Sequence, residues 1–91
     1  MVRLILIRNI IFTATAREDL LFWQKTNLRT IQKINVLIES ILEDPSSGIG
    51  KPEKLKYELS GTWSRRINHR DRIVYGVEDK TLIILQLRDH Y

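Results

Sequence analysis

Residues 63–88, WSRRINHRDRIVYGVEDKTLIILQLR, decide the fold, because apolar, β-branched and aromatic residues recur there with the pattern of strands. The pattern predicts three strands, over residues 63–68, 72–78 and 81–88. The short polar segments at 69–71 and 78–80 are typical of the tight turns that join antiparallel neighbours. This half of the chain is therefore expected to form a meander of three or four strands.

Two helices are predicted upstream of the meander. Thr15-Ala-Arg-Glu18 has the sequence of a capping box and predicts a helix from about residue 14 to residue 25. A second helix is expected to begin after Asn27 and to end before Pro45. Four isoleucines lie on one face of it at helical spacing: Ile31, Ile34, Ile38 and Ile41. This stripe is expected to pack against a sheet rather than to serve a cofactor.

The first residues complete the predicted architecture. Residues 2–12 are apolar and β-branched, which favours another strand. A strand, two helices and a meander predict an α+β fold, with both helices packed on one face of an antiparallel sheet. No repeat, low-complexity tract or linker divides the 91 residues, so a single domain over residues 1–91 is expected.

The composition excludes several classes of chemistry. The chain has no cysteine and only two histidines, so we expect neither a thiol nucleophile nor a metal centre. No glycine-rich phosphate loop is present, and no nucleotide or other cofactor is expected. The apolar runs are far shorter than the ~20 residues that cross a bilayer, so the expected location is cytoplasmic.

The positive charge is concentrated in one stretch. The net charge is +4, and residues 51–72, with seven Lys and Arg against three Asp and Glu, account for all of it. Such a stretch favours an anionic partner, most commonly a nucleic acid, although a solvated basic face has the same composition. Strand alternation places Arg66 on one face of the predicted sheet and Arg65 on the other. A sheet face that carries arginines is either solvated or meets an anion.

RNA cleavage is one reaction that this composition permits without a metal or a thiol. The substrate supplies a 2′-hydroxyl as nucleophile, and the protein must supply a base, an acid and positive charge. Candidate side chains are present for each task, and they are scattered along the chain: Glu53, Arg66, Arg72 and His90, with Trp63 and Tyr91 as rings that could stack on a base. Their spacing alone does not predict that they assemble.

Several motifs increase the weight of that interpretation. GIGKPE at residues 48–53, Leu55-Lys56 and LSGTWSRRI at residues 59–67 resemble the central signature of the YoeB/Txe family of bacterial toxins. RIVY at residues 72–75 and RDHY at residues 88–91 are similar to the last two strands of that family. The resemblance covers nearly the whole chain.

The resemblance implies a RelE-like fold and a definite activity. Members of the family are ribosome-dependent endoribonucleases that cut messenger RNA and leave a 2′,3′-cyclic phosphate. The implied partners are a cognate antitoxin, messenger RNA and the ribosome, with a second toxin copy as a further candidate. A noncatalytic protein that represses translation by binding RNA or the ribosome is the alternative.

The same resemblance assigns roles to residues of this chain. It implies that Glu53 is the general base, that Arg72 stabilises the transition state, that His90 is the general acid, and that Tyr91 stacks on or orients a base.

Phosphate binding is assigned separately. The resemblance implies that Lys56 and Arg66 hold the substrate phosphates, and Lys51 and Arg65 of the same basic stretch are expected to add RNA contacts.

Two departures from the family pattern flank these residues. Asp89 stands beside the predicted acid where family members usually carry an aromatic residue. Ser46-Ser47 replaces the usual Phe-Glu ahead of the GIGKPE motif, and we expect this change to loosen the loop that carries Glu53.

Overall fold

A mixed sheet covered on one face by two helices forms the structure, a computed structural model that describes residues 6–56 and 61–89. The helices are α1 (Ala14–Thr26) and α2 (Leu28–Glu43). The strands in chain order are β1 (Asn9–Phe12), β2 (Glu53–Lys54), β3 (Trp63–Arg66), β4 (Arg72–Glu78) and β5 (Thr81–Gln86). None of the helices in the described part of the chain is long and apolar enough to span a bilayer.

The order of the strands in the sheet is β1-β5-β4-β3-β2. The pairs from β2 to β5 are antiparallel, as the meander predicted, but β1 lies parallel to β5 at the edge. The sheet is therefore mixed rather than wholly antiparallel. A tight turn forces its two strands to run antiparallel. No such turn connects β1 to β5, because both helices and three strands separate them along the chain.

Two polar side chains set the ends of the helices. Thr13, and not the predicted Thr15, caps α1: its Oγ1 accepts a hydrogen bond from the Ala16 N–H and donates one to the Leu85 carbonyl of β5. Asn27 caps α2 as predicted, with its Oδ1 accepting from the Thr30 N–H at 3.2 Å. The Asn27 N–H also donates to the Trp23 carbonyl, so this single residue ends α1 and begins α2.

The core lies between the helices and one face of the sheet. The isoleucine stripe packs there as predicted, with Ile34 and Ile41 buried and Ile31 and Ile38 partly buried. Side chains from the sheet meet this stripe, and several of them are fully buried: Ile73, Tyr75, Leu82 and Ile84. Each such side chain contributes roughly 1.5–3 kcal/mol of burial free energy.

A bulge in β5 changes which side chains face this core. Val74 pairs with Gln86, whereas Tyr75 pairs with Ile84, so Leu85 is an extra residue in its strand. If Leu85 were instead paired as a regular strand residue, alternation from Ile84 would point Gln86 inward and Leu87 outward. Leu87 is instead fully buried. The bulge therefore directs the C-terminal segment back towards the helices.

Candidate functional site

Three of the predicted site residues lie together on the sheet face that the helices leave uncovered. Arg66 of β3 pairs directly with Arg72 of β4, and Glu53 of β2 pairs with Ser64, two residues before Arg66. Arg65, which alternates with them, points into the core. Directly paired side chains lie about 5 Å apart at Cβ and diagonal neighbours about 7–8 Å apart. The sheet register thus places one carboxylate and two guanidiniums within reach of one small ligand.

Arg72 is held in position by the turn between β3 and β4. Its Nη1 donates to the carbonyls of Asn68 at 2.9 Å, Asp71 at 3.1 Å and His69 at 3.3 Å. These bonds restrict a long side chain that would otherwise lose rotamer entropy on binding a ligand. Arg72 is half-buried as a residue, and its backbone pairs with that of Arg66 on the neighbouring strand.

Further cations surround one end of β3. Lys51 and Arg66 line an open depression together with Lys33 of α2. Lys33 was not predicted as a site residue, because its spacing in the sequence indicates only an exposed position on an amphipathic helix. His69, which is exposed as its position in a turn predicts, also lines this depression. Lys56 is exposed on the segment that follows β2.

Arg65 does not have the place that was predicted for it. Its side chain is completely buried, and each nitrogen of the guanidinium donates within the protein. Nε donates to the Tyr75 Oη at 3.0 Å, and Nη1 donates to the Ser40 Oγ at 2.7 Å. The remaining acceptors are main-chain carbonyls between α2 and β2: Asp44 and Ser47 for Nη2, and Ile49 for Nη1. An RNA phosphate cannot reach this group, so the predicted RNA contact by Arg65 is wrong.

The segment that leads to Glu53 is folded around Arg65. Gly50 has a positive φ of 83°, and a Cβ there would lie 2.7 Å from the Leu37 Cδ2 and 3.1 Å from the Arg65 Cβ. This close approach lets the Gly50 carbonyl accept from the Arg66 N–H at 2.7 Å. The loop therefore lies flat against β3, and β2 begins with Glu53 in register.

The two serines that depart from the family pattern hold the start of this loop rather than loosen it. The Asp44 carboxylate accepts from the Ser46 N–H, the Ser46 hydroxyl and the Ser47 hydroxyl, each at 2.9 Å. These donors, led by the Ser46 N–H, lower the pKa of Asp44 from its ordinary value. The Ser47 carbonyl meanwhile accepts from Arg65, so side chain and backbone anchor the same segment.

The C-terminal segment is fixed to both layers of the fold. The Leu87 N–H donates to the Asp19 Oδ2 at 3.0 Å, and the Trp23 Nε1 donates to the Leu87 carbonyl at 2.8 Å. Arg88 lies over the ring of Phe22, 3.6 Å from its centroid. The Asp89 carbonyl then accepts from the Arg72 N–H.

The described part of the C-terminal segment ends at Asp89, which is bonded to Arg72. The predicted acid His90 and the predicted ring Tyr91 lie outside the described residues. Trp63 is half-buried and packs against the core, so it supports the sheet rather than offering an open ring.

Comparisons with known proteins point to one family. The family model for the YoeB-like toxin of bacterial type II toxin–antitoxin systems matches residues 12–91. The toxin YoeB of Synechocystis is 48% identical over 82 residues, which cover 90% of this chain and 95% of that protein.

Solved structures give the same result. A YoeB/ParE toxin from Agrobacterium tumefaciens superposes with a TM-score of 0.90 at 41% identity, covering 92% of this chain and all of that one. The heterotetrameric YoeB–YefM toxin–antitoxin complex from Staphylococcus aureus gives a TM-score of 0.84 at 45% identity, covering 91% and 97%. A YoeB dimer from the same organism gives 0.85 at 45% identity, covering 91% and 97%.

Replacing Arg65 with lysine tests its structural role. Lysine keeps the charge but cannot donate in a fork, so several buried oxygens lose their donors. We expect R65K to lower the free energy of unfolding by about 3 kcal/mol or more, measured by urea denaturation. The matched control is R66K on the exposed face, which should change it by no more than ~0.5 kcal/mol. Equal losses in both variants would contradict the assignment.

The hydroxyl of Ser47 is testable through the titration of Asp44. Because the folded pKa of Asp44 is lowered, its stabilising contribution is present above the unfolded value of about 3.9 and is lost as the pH falls through the folded value. S47A removes one donor, so the pKa of Asp44 should rise and this contribution should be lost at a higher pH. Carboxyl-detected NMR titration measures this, with Asp19 as internal control. An unchanged Asp44 titration would show that the hydroxyl is not a donor.

Proposed function

The chain belongs to the YoeB-like toxins of bacterial type II toxin–antitoxin systems, and from this premise we propose that it is a metal-independent endoribonuclease that cuts messenger RNA on the ribosome. The RelE-like fold predicted from the sequence is confirmed. The observation that carries the proposal is the cross-strand pair Arg66–Arg72 with Glu53 diagonal to it on the uncovered sheet face.

The arginine pair is best explained by an anionic ligand. Like charges directly opposite each other in a sheet destabilise it, and the turn carbonyls only partly offset this at Arg72. A phosphodiester placed between the two guanidiniums removes the repulsion and accepts hydrogen bonds from both. As the phosphorus becomes five-coordinate its oxygens gain negative charge, so the pair binds the transition state more tightly than the substrate.

The remaining groups complete an acid–base mechanism. The Glu53 carboxylate takes the proton of the 2′-hydroxyl, and the 2′-oxygen attacks the adjacent phosphorus. The bond to the 5′-oxygen breaks, and this leaving oxygen takes a proton from His90. The products are a 2′,3′-cyclic phosphate and a free 5′-hydroxyl. Tyr91 is proposed to orient a base near the cleaved bond.

The messenger is proposed to follow a line of cations away from the reacting phosphate. Lys51 and Lys33 line the same depression as Arg66, and Lys56 is exposed beyond β2. These side chains act as phosphate contacts rather than as catalytic groups. The ribosome is proposed to present the messenger in the conformation that brings its 2′-hydroxyl to Glu53.

An antitoxin is the proposed protein partner. The S. aureus relative forms a heterotetramer with YefM, and another structure holds a dimer of that toxin. Apolar side chains that such partners could cover are exposed on this chain, including Ile10 and Ile11 on the edge strand β1. A second toxin copy is proposed for the same reason.

Cleavage is tested by adding the purified protein to translating ribosomes and mapping new 5′ ends. We expect E53Q and R72A each to reduce the cleavage rate by about 10²–10⁴-fold, because each removes one chemical task. E78Q, an exposed carboxylate at the far end of β4, is the matched control and should cleave normally. Undiminished cleavage by E53Q and R72A would refute the assignment. A wild type that stops translation but leaves the messenger intact would favour the noncatalytic repressor instead.

The phosphate contacts predict a measurable dependence on salt. The logarithm of the binding constant should fall linearly with the logarithm of the salt concentration, and each lost contact should reduce the slope by about 0.7–0.9. We expect R66A and K33A to reduce it when binding to messenger-loaded ribosomes is measured. R17A removes the same charge from an exposed position of α1 outside that depression and should leave the slope unchanged. If R66A, K33A and R17A all kept the slope of the wild type, the RNA would not contact Arg66 or Lys33.

A further inference from the structure

Asp71 is a buried carboxylate beside the candidate site that the proposed mechanism does not use. It is only 5% exposed and lies in the turn between β3 and β4. Its Oδ1 accepts from the Asp89 N–H at 2.8 Å, and its Oδ2 accepts from the Asn68 Nδ2 at 2.9 Å. Both oxygens are therefore used, one by the turn itself and one by the C-terminal segment.

The turn that carries Asp71 is built to hold this carboxylate still. The Asn68 Oδ1 accepts from the Asp71 N–H at 2.7 Å and from the Arg70 N–H at 2.8 Å, which closes an Asx-type turn. The Asn68 side chain thus contacts both the carboxylate and the backbone N–H of Asp71. Arg72, the next residue, donates from its own N–H to the Asp89 carbonyl at 3.1 Å. Asp89 is accordingly bound through its N–H and its carbonyl to two consecutive residues.

The backbone of Asp89, rather than its side chain, makes this attachment. Its carboxylate does form an ion pair with the Arg70 Nη2 at 3.0 Å, but the two side chains are 56% and 72% exposed. Exposed pairs of this kind contribute little. Asp89 also has a positive φ of 63°, which a residue other than glycine adopts at some cost and keeps only when its surroundings fix it.

We propose that Asp71 is a positioning residue that fixes the backbone from which His90 and Tyr91 extend, in register with Arg72. The inference rests on the proposed function, because it concerns the placement of that mechanism's acid. A general acid must come within hydrogen-bond distance of the leaving oxygen, and a displacement of about 1 Å can cost about 100-fold in rate. Asp89 directly precedes the acid and is bonded to both Asp71 and Arg72.

A charge-swapped pair separates this role from a general effect on folding. D71N leaves one oxygen for two donors, the Asn68 Nδ2 and the Asp89 N–H, so one contact is lost directly and the other is no longer held in place by the turn. N68D/D71N restores the full set. The carboxylate is then at position 68, where it accepts from the amide introduced at position 71 and from the two backbone N–H groups of the turn, and the oxygen of that amide accepts from the Asp89 N–H. The double variant also has the net charge of the wild type. D79N, in the exposed turn between β4 and β5, is the matched control.

The experiment combines cleavage kinetics on messenger-loaded ribosomes with amide hydrogen exchange of the free protein. In D71N we expect kcat to fall by about 10–100-fold with KM within about twofold, and the Asp89 amide to lose protection. N68D/D71N should recover most of the kcat and the protection, and D79N should match the wild type. A merely structural role would instead lower protection throughout the core.

Other results would overturn the inference in distinguishable ways. Wild-type kcat in D71N, despite an exposed Asp89 amide, would refute positioning while leaving the proposed function intact. A kcat of N68D/D71N no higher than that of D71N, in a double variant whose core amides are still protected, would also refute positioning and leave the proposed function intact. Absence of cleavage by the wild type would overturn the proposed function and, with it, this inference.

Discussion

The buried guanidinium of Arg65 is the constraint on which the rest of the site depends. Burying a charge is costly unless its hydrogen bonds are satisfied, and in the described residues its acceptors are hydroxyl and carbonyl oxygens rather than carboxylates. Three of them are main-chain carbonyls of the loop between α2 and β2. The conformation of the loop that leads to Glu53 is therefore set by the hydrogen bonds that the buried Arg65 guanidinium requires.

Adjacent arginines of β3 have opposite roles because a strand alternates its faces. Arg65 points to the core and organises the loop, whereas Arg66 points to the uncovered face and pairs with Arg72. The structural role of Arg65 and the proposed catalytic role of Arg66 therefore belong to opposite faces of the same four-residue strand. A one-residue shift in its register would exchange the two side chains and lose both functions at once.

The sequence predicted features that follow from local patterns. Periodicity located α2 and the strands from β3 to β5, and the Asn27 cap followed from side-chain chemistry. It did not predict the parallel pairing of β1, because this pairing depends on contacts with β5, about 70 residues away along the chain. It chose Thr15 as the cap of α1, whereas the Thr13 hydroxyl caps the helix and also donates to the Leu85 carbonyl of β5. The burial of Arg65 was missed for a similar reason: its acceptors are mostly backbone carbonyls, which carry no residue-type signal. The convergence of Glu53, Arg66 and Arg72 follows from the strand order, and only family resemblance suggested it.

The bulge at Leu85 has a consequence for how such a chain can change during evolution. Leu85 is the extra residue of its strand, so without it Gln86 would follow Ile84 directly and keep its pairing with Val74. Leu87 would then keep its inward position, and the Asp89 amide would keep its place beside Asp71. A three-nucleotide deletion at this codon is therefore expected to leave the pairing of the sheet intact, so the chain can shorten by one residue here without exposing its core.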